Sequence, residues 1–144
     1  MFTIKVDMSH LERVFTKVAL GLSTPDPLLM DSLGDTLMTQ VGQQINAGGR
    51  PAWAALKPAT VARKQKLGKD NGILRFTGEL LHPANRSVES NGHAVTLSFA
   101  KAYGAYHQTG TSKMVARPLA VVDGQMENAL ADAAADYIDW LVGQ

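Results

Sequence analysis

The 144-residue chain has no cysteine, which excludes disulfides and thiolate metal sites and fits a protein made and used in a reducing cytosol. No apolar run approaches the ~18 residues that a membrane span requires. The first residues, Met1-Phe2-Thr3-Ile4-Lys5-Val6-Asp7, alternate in polarity, where a secretory leader would show a basic region and then an apolar block. Among its 13 glycines none forms G-x-G-x-x-G or a Gly-Lys-Ser/Thr loop, so nucleotide binding has no support. No G-x-S-x-G elbow or local serine–base pair is visible. The four histidines, His10, His82, His93 and His107, are scattered, and no two share the i, i+4 spacing of a zincin-type helix. No metal, cofactor or catalytic constellation is therefore expected, and no contact with a membrane.

Lysine and arginine are also missing from everything after residue 117, where Asp123, Glu127, Asp132, Asp136 and Asp139 lie. The formal net charge of +1 hides the opposite bias upstream: between residues 50 and 75, Arg50, Lys57, Arg63, Lys64, Lys66, Lys69 and Arg75 meet Asp70 alone. With 45% hydrophobic and 19% charged residues the composition is that of a globular protein. The length fits one domain over residues 1–144.

Residues 2–7 place Phe2, Ile4 and Val6 on one face, the pattern of a half-buried strand. Ser9 and Glu12 have capping-box spacing, and Leu11, Val14, Phe15, Val18 and Leu22 continue a helix that Ser23-Thr24-Pro25 stops. Asp26 with Pro27 opens a second helix, whose stripe of Met30, Leu33, Leu37, Val41 and Ile45 runs to Gly48-Gly49. The Gly- and Pro-bounded stretch from Arg50 to Pro58 predicts an ordered loop pinned by Trp53. A short helix over residues 60–66 behind a threonine cap follows, then a mobile basic loop over residues 66–72.

Asn91-Gly92 predicts a type I′ hairpin within residues 86–99, with Val88 facing Val95 and Leu97 and Phe99 on the same buried face. Residues 101–108 read as a short helix or an extended connection, 109–113 as an exposed loop and 118–122 as a short strand. From Gly124 onward Met126, Leu130, Ala133 or Ala134, Tyr137 and Leu141 define an apolar stripe opposite Asp132, Asp136 and Asp139. The sum is an α+β fold: a small, mainly antiparallel sheet packed against two or three helices.

The clustered cations near Trp53 have the character of a phosphate-binding patch, although the sequence pI of about 8.0 lies below the footprint of a dedicated DNA-binding domain. The opposed charges suit a ring, in which a basic surface of one subunit meets the acidic helix of the next, or else two solubilised faces. Asp132, Asp136 and Asp139 are more simply a solvated face than catalytic carboxylates. Tyr103, Tyr106 and His107 read either as an aromatic ligand platform or as core beside the hairpin. Arg117, just before Pro118, either braces the polar loop or pairs with an acid.

A set of motifs in one order resembles the Mu-like phage virion morphogenesis family, also called tail completion proteins. They are Gly49-Arg50-Pro51-Ala52-Trp53-Ala54-Ala55-Leu56, the basic helix from Thr60 to Lys66, Ile73-Leu74-Arg75-Phe76-Thr77-Gly78-Glu79-Leu80, Tyr103-Gly104-Ala105-Tyr106-His107-Gln108-Thr109-Gly110, and Arg117-Pro118-Leu119. The resemblance covers residues 28–140. Gly104, in place of the usual alanine, and Leu81-His82-Pro83 depart from the pattern.

The resemblance implies a non-enzymatic part of the phage neck or tail top, assembled in the host cytoplasm for a phage or a resident prophage. It implies a ring of about six subunits on the axis through which the genome leaves, meeting other neck and tail proteins and transiently the DNA. Trp53, Tyr103, Tyr106, His107 and Arg117 are then the family-specific surface or its supporting core, and the loops 66–72 and 109–113 its outward contacts. Two other readings stand beside it: a small DNA-binding protein using residues 50–75, and a hydrolase or nuclease centred on His107.

Overall fold

The computed structural model describes residues 1–7, 26–69, 72–91 and 94–143. The helix expected from Ser9 to Leu22 lies outside the described residues, as does Gly92 of the expected turn. The described elements are β1 (Phe2–Asp7), α1 (Pro27–Asn46), α2 (Pro58–Lys66), β2 (Arg86–Ser90), β3 (Ala94–Phe99), α3 (Gly104–Thr109) and α4 (Gly124–Val142). These four helices and a three-stranded antiparallel sheet in the order β1-β3-β2 make the architecture α+β.

Two compact units share these elements: one of Met1–Phe2, Val41–Ser87 and Ser98–Val121, the other of Thr3–Gln40, Val88–Leu97 and Val122–Gln144. In the second, Leu29, Met30, Leu33 and Leu37 of α1 are buried, as are Val95 and Leu97 of β3 and Met126, Leu130, Ala134 and Tyr137 of α4. Gly34 lets α1 lie close to the sheet, since a Cβ there would stand 2.9 Å from Cγ1 of Val88. Asp123 caps α4 by accepting the Met126 N–H at 2.9 Å. The inward position is Ala134, and Asp132, Asp136 and Asp139 are exposed.

α1 begins as its sequence predicts, with Asp26 Oδ1 accepting the Leu28 N–H at 2.8 Å and Pro27 at the first helical position. It ends in a Schellman arrangement: the Gly48 N–H donates to Ile45 O at 3.1 Å and the Gly49 N–H to Gln44 O at 2.9 Å. Both glycines have left-handed backbone, φ +78° and +95°. Gly49 is also sealed by Trp53, because any Cβ placed there would run into the indole ring.

β3 is the central strand, which is why Ala94, Val95, Leu97, Ser98 and Phe99 are all buried while β1 alternates. Within the first unit the Phe2 and Phe99 rings stack at 5.5 Å. The hairpin register differs from the expected one. The Asn91 N–H donates to Ala94 O at 2.9 Å, so position 91 pairs with 94 and Val88 falls opposite Leu97, not Val95. The shift is an even number of residues, so the same side chains keep the buried face.

Two further expectations are corrected. α2 starts at Pro58 with Lys57 as a cap that makes no side-chain bond, so proline preorganisation and not a threonine opens it. Residues 118–122 form no strand, because side chains replace the neighbouring strand. Gln108 Oε1 accepts the Leu119 and Ala120 N–H groups at 2.8 and 3.3 Å, and its Nε2 donates to Ala120 O at 2.7 Å. Gln44 does the same for Val121, accepting its N–H at 2.9 Å and donating to its carbonyl. The open choice for residues 101–108 resolves as α3, and the exposed loop beyond it is pinched where Thr111 and Met114 exchange backbone bonds of 2.9 and 3.2 Å.

Gly49→Ala forces a side chain into left-handed backbone and into the Trp53 ring, and should cost about 2–4 kcal/mol in urea unfolding. Gln44→Leu strands the Val121 N–H and carbonyl and should cost about 2–4 kcal/mol, whereas Gln43→Leu on the exposed face should stay within about 0.5 kcal/mol.

Candidate functional site

The site lies within the unit that holds α2 and α3. Its base is a reciprocal lock between the loop after α1 and the chain around Pro118. Trp53, 8% exposed, donates its indole N–H to Pro118 O at 2.7 Å. In return Arg117 donates Nε to Ala54 O at 2.8 Å and Nη2 to Ala55 O at 3.1 Å. Arg117 thus braces a loop, but through backbone carbonyls of residues 54 and 55, and its guanidinium fork suits that task because it offers several donors in a fixed plane.

Lys64 is corrected from an exposed patch residue to a buried one. It is 5% exposed, and its ammonium donates to Gly72 O at 2.7 Å and Arg75 O at 3.1 Å. Its charge is spent on holding residues 72–75 against α2, beside Leu74, whose φ of +60° is left-handed. Arg63, Lys66 and Lys69 remain exposed, and the Lys69 ammonium sits 5.3 Å over the Phe76 ring.

Between these parts opens a cleft of about 240 Å³. Leu56, Leu74, Phe76, Leu80 and Tyr103 supply its apolar lining, while Arg63, Arg75 and Arg117 supply positive charge, and among the described residues no Asp or Glu borders it. A second cleft of about 470 Å³ shares residues 75–78 with the first and adds His82 and Arg86. Nε and Nη1 of Arg86 are buried without an acceptor, and burial holds its guanidinium below the ordinary arginine range. Both clefts are therefore electropositive.

Of the residues singled out from sequence, Arg63, Lys64, Tyr103, His107 and Arg117 line the first cleft together. Trp53 is core beneath it, and Arg50 is half-buried. Tyr103 and Tyr106 are 43% and 61% exposed, so neither is core, and Tyr106 does not line the cleft. Asp132, Asp136 and Asp139 belong to the other unit and are exposed on α4. Sequence reasoning missed Arg86, whose only signal is an arginine on the half-buried face of β2, and undervalued Phe76.

His107 has the Tyr103 ring edge-on at 6.4 Å, and its carbonyl accepts the Arg117 N–H at 2.7 Å. Its Nδ1 is buried with no hydrogen-bond partner, so no carboxylate orients the ring through that nitrogen as it would for a general base. Burial first, and the Arg117 charge second, lower its pKa from the ordinary value of 6.5. Among the described residues no three of His, Asp and Glu gather as metal ligands, and no helix is long and apolar enough to cross a membrane.

A model of the phage virion morphogenesis family matches residues 6–137. The chain belongs to the phage virion morphogenesis family. No curated protein and no solved structure matches it. The family gives this virion morphogenesis protein a structural role in building the phage particle, and it extends the likeness read over residues 28–140 back to position 6. All the motifs that carried that likeness, from Gly49 to Leu119, fall in the unit that contains the cleft.

Because His107 binds a proton less readily when folded, the unfolded state of this virion morphogenesis protein takes up the proton first as pH falls below 6.5. Its contribution is neutral above that pH, and stability declines as pH drops from 6.5 through the lower folded-state pKa. Melting temperatures measured between pH 7.5 and 5 should fall less steeply for His107→Gln than for the parent, and an equal slope in both would refute the assignment.

Proposed function

We propose that this protein is a component of the phage neck or tail top, where it completes the tail or stabilises the head-to-tail joint as a homo-oligomeric ring. The family match over residues 6–137 carries this reading. The ring geometry draws support from the charge distribution. Arg63, Lys66 and Lys69 are exposed on or just after α2, while the exposed face of α4 bears Asp132, Asp136 and Asp139 with no cation after residue 117. A ring of about six such subunits joins unlike surfaces in a closed cycle, which is what unlike charged patches on one chain favour. Its action is docking to neighbouring neck and tail proteins, without turnover.

The exposed cations also favour a second reading, contact with genomic DNA through residues 50–75. DNA affinity that falls steeply between about 50 and 200 mM salt would support it, and undetectable binding at low salt would remove it.

Light scattering on the purified protein across a salt series tests the ring. A closed oligomer should lose mass as salt rises, because exposed opposite charges are screened beyond roughly 8–10 Å at physiological ionic strength. Glu127→Gln, Asp132→Asn, Asp136→Asn and Asp139→Asn combined should weaken association and leave the monomer folded, Asp123 being kept because it caps α4. Unchanged mass and salt response in that variant would eliminate charge docking.

A further inference from the structure

The cleft and the end of α4 are complementary in charge and in polarity. Near the end of α4, Trp140 is 51% and Val142 69% exposed, beside Asp136 and Asp139. Trp140 follows Asp136 by one helical turn, so both face the same side. The Tyr137 ring, buried in its own unit, contacts the indole at 5.8 Å and fixes its base. The cleft offers the reverse: an apolar floor from Leu74, Phe76 and Leu80, three arginines around it and, among the described residues, no acid. A cavity of ~150 Å³ already accepts benzene, so about 240 Å³ suffices for an aromatic side chain.

We propose that the Trp140 end of α4 in one copy of the chain docks in the arginine-lined cleft of a second copy. The proposal rests on the assembly reading above and names the two surfaces through which assembly proceeds. Tryptophan is among the residue types enriched at the anchors of such contacts, and Asp136 and Asp139 would meet Arg63 and Arg75 around it. A contact of α4 with its own copy would oppose carboxylates to carboxylates, so the acidic face is better matched by the unlike surface of the cleft. Arg75 borders both clefts and Arg86 the second, where its buried donors without acceptors add to the positive potential facing the acids.

Trp140→Ala removes the anchor and leaves the cleft intact, whereas Arg75→Glu spoils the cleft and leaves α4 intact. Each variant alone should assemble at a protein concentration raised roughly tenfold or more. An equimolar mixture of the two should form a one-to-one dimer, because it restores a single complete contact, and should not form the full oligomer. The dimer also shows that both variants fold. Two variants that assemble like the parent would overturn this interface and leave the ring standing. Variants that are monomeric alone and stay monomeric when mixed would overturn it as well. A parent chain that is monomeric at every concentration and salt would overturn both this contact and self-assembly.

Discussion

Among the described residues no strand runs beside the largely buried backbone of residues 118–121, and the unit around it depends on how that demand is met. Leu119 and Ala120 are buried, so their N–H and carbonyl groups must find partners inside the protein. Two glutamines serve the Leu119 N–H and both backbone groups of Ala120 and Val121: Gln108 from α3 and Gln44 from the last turn of α1. Each primary amide presents one donor and one acceptor to the peptide, as a neighbouring strand would. That arrangement ties α1, α3 and the segment before α4 together with bonds that do not rely on sheet geometry, and it leaves Pro118 O available for Trp53.

From that base the electrostatics of the site follow. Arg117 is committed to the carbonyls of Ala54 and Ala55, and Lys64 to those of Gly72 and Arg75. Among the described residues neither charge meets a carboxylate there, and both are held by carbonyl dipoles. Glu79 is taken up by Lys101 at 3.1 Å, away from these cations. A cleft built this way keeps its cationic character whatever the exposed Arg63, Lys66 and Lys69 do, and the rigidity of its wall comes from the same bonds that supply the charge.

Much of the fold was legible because its signals are local. The stripe of α1, its proline start and diglycine stop, the alternation of β1 and the face of α4 each depend on spacing within one element. The hairpin was legible as a hairpin but not in register, since Asn91-Gly92 and the pairing of Asn91 with Ala94 both satisfy the same alternation and differ only by two positions. Residues 118–122 misled for a deeper reason. Their apolar run is what a buried strand shows, and the partners that take the strand's place are glutamines 77 and 12 positions away in sequence. Lys64 was misplaced for a similar reason: in sequence it is one cation among seven between residues 50 and 75, and only the carbonyls of residues 72 and 75 make it a buried one.

The loop that follows α3 emerges between fixed points. On one side Gln108 is bonded to Leu119 and Ala120, on the other Arg117 is bonded to the His107 carbonyl and to the loop after α1. Gly110 packs against the backbone of Met114 and Ala116, closing the neck of the loop. Little chain is left free between those anchors, so a partner that grips the exposed residues Thr111, Ser112 and Lys113 meets a nearly preformed shape. The conformational entropy usually lost when a loop is captured has mostly been surrendered during folding, and binding free energy at that tip is correspondingly less eroded.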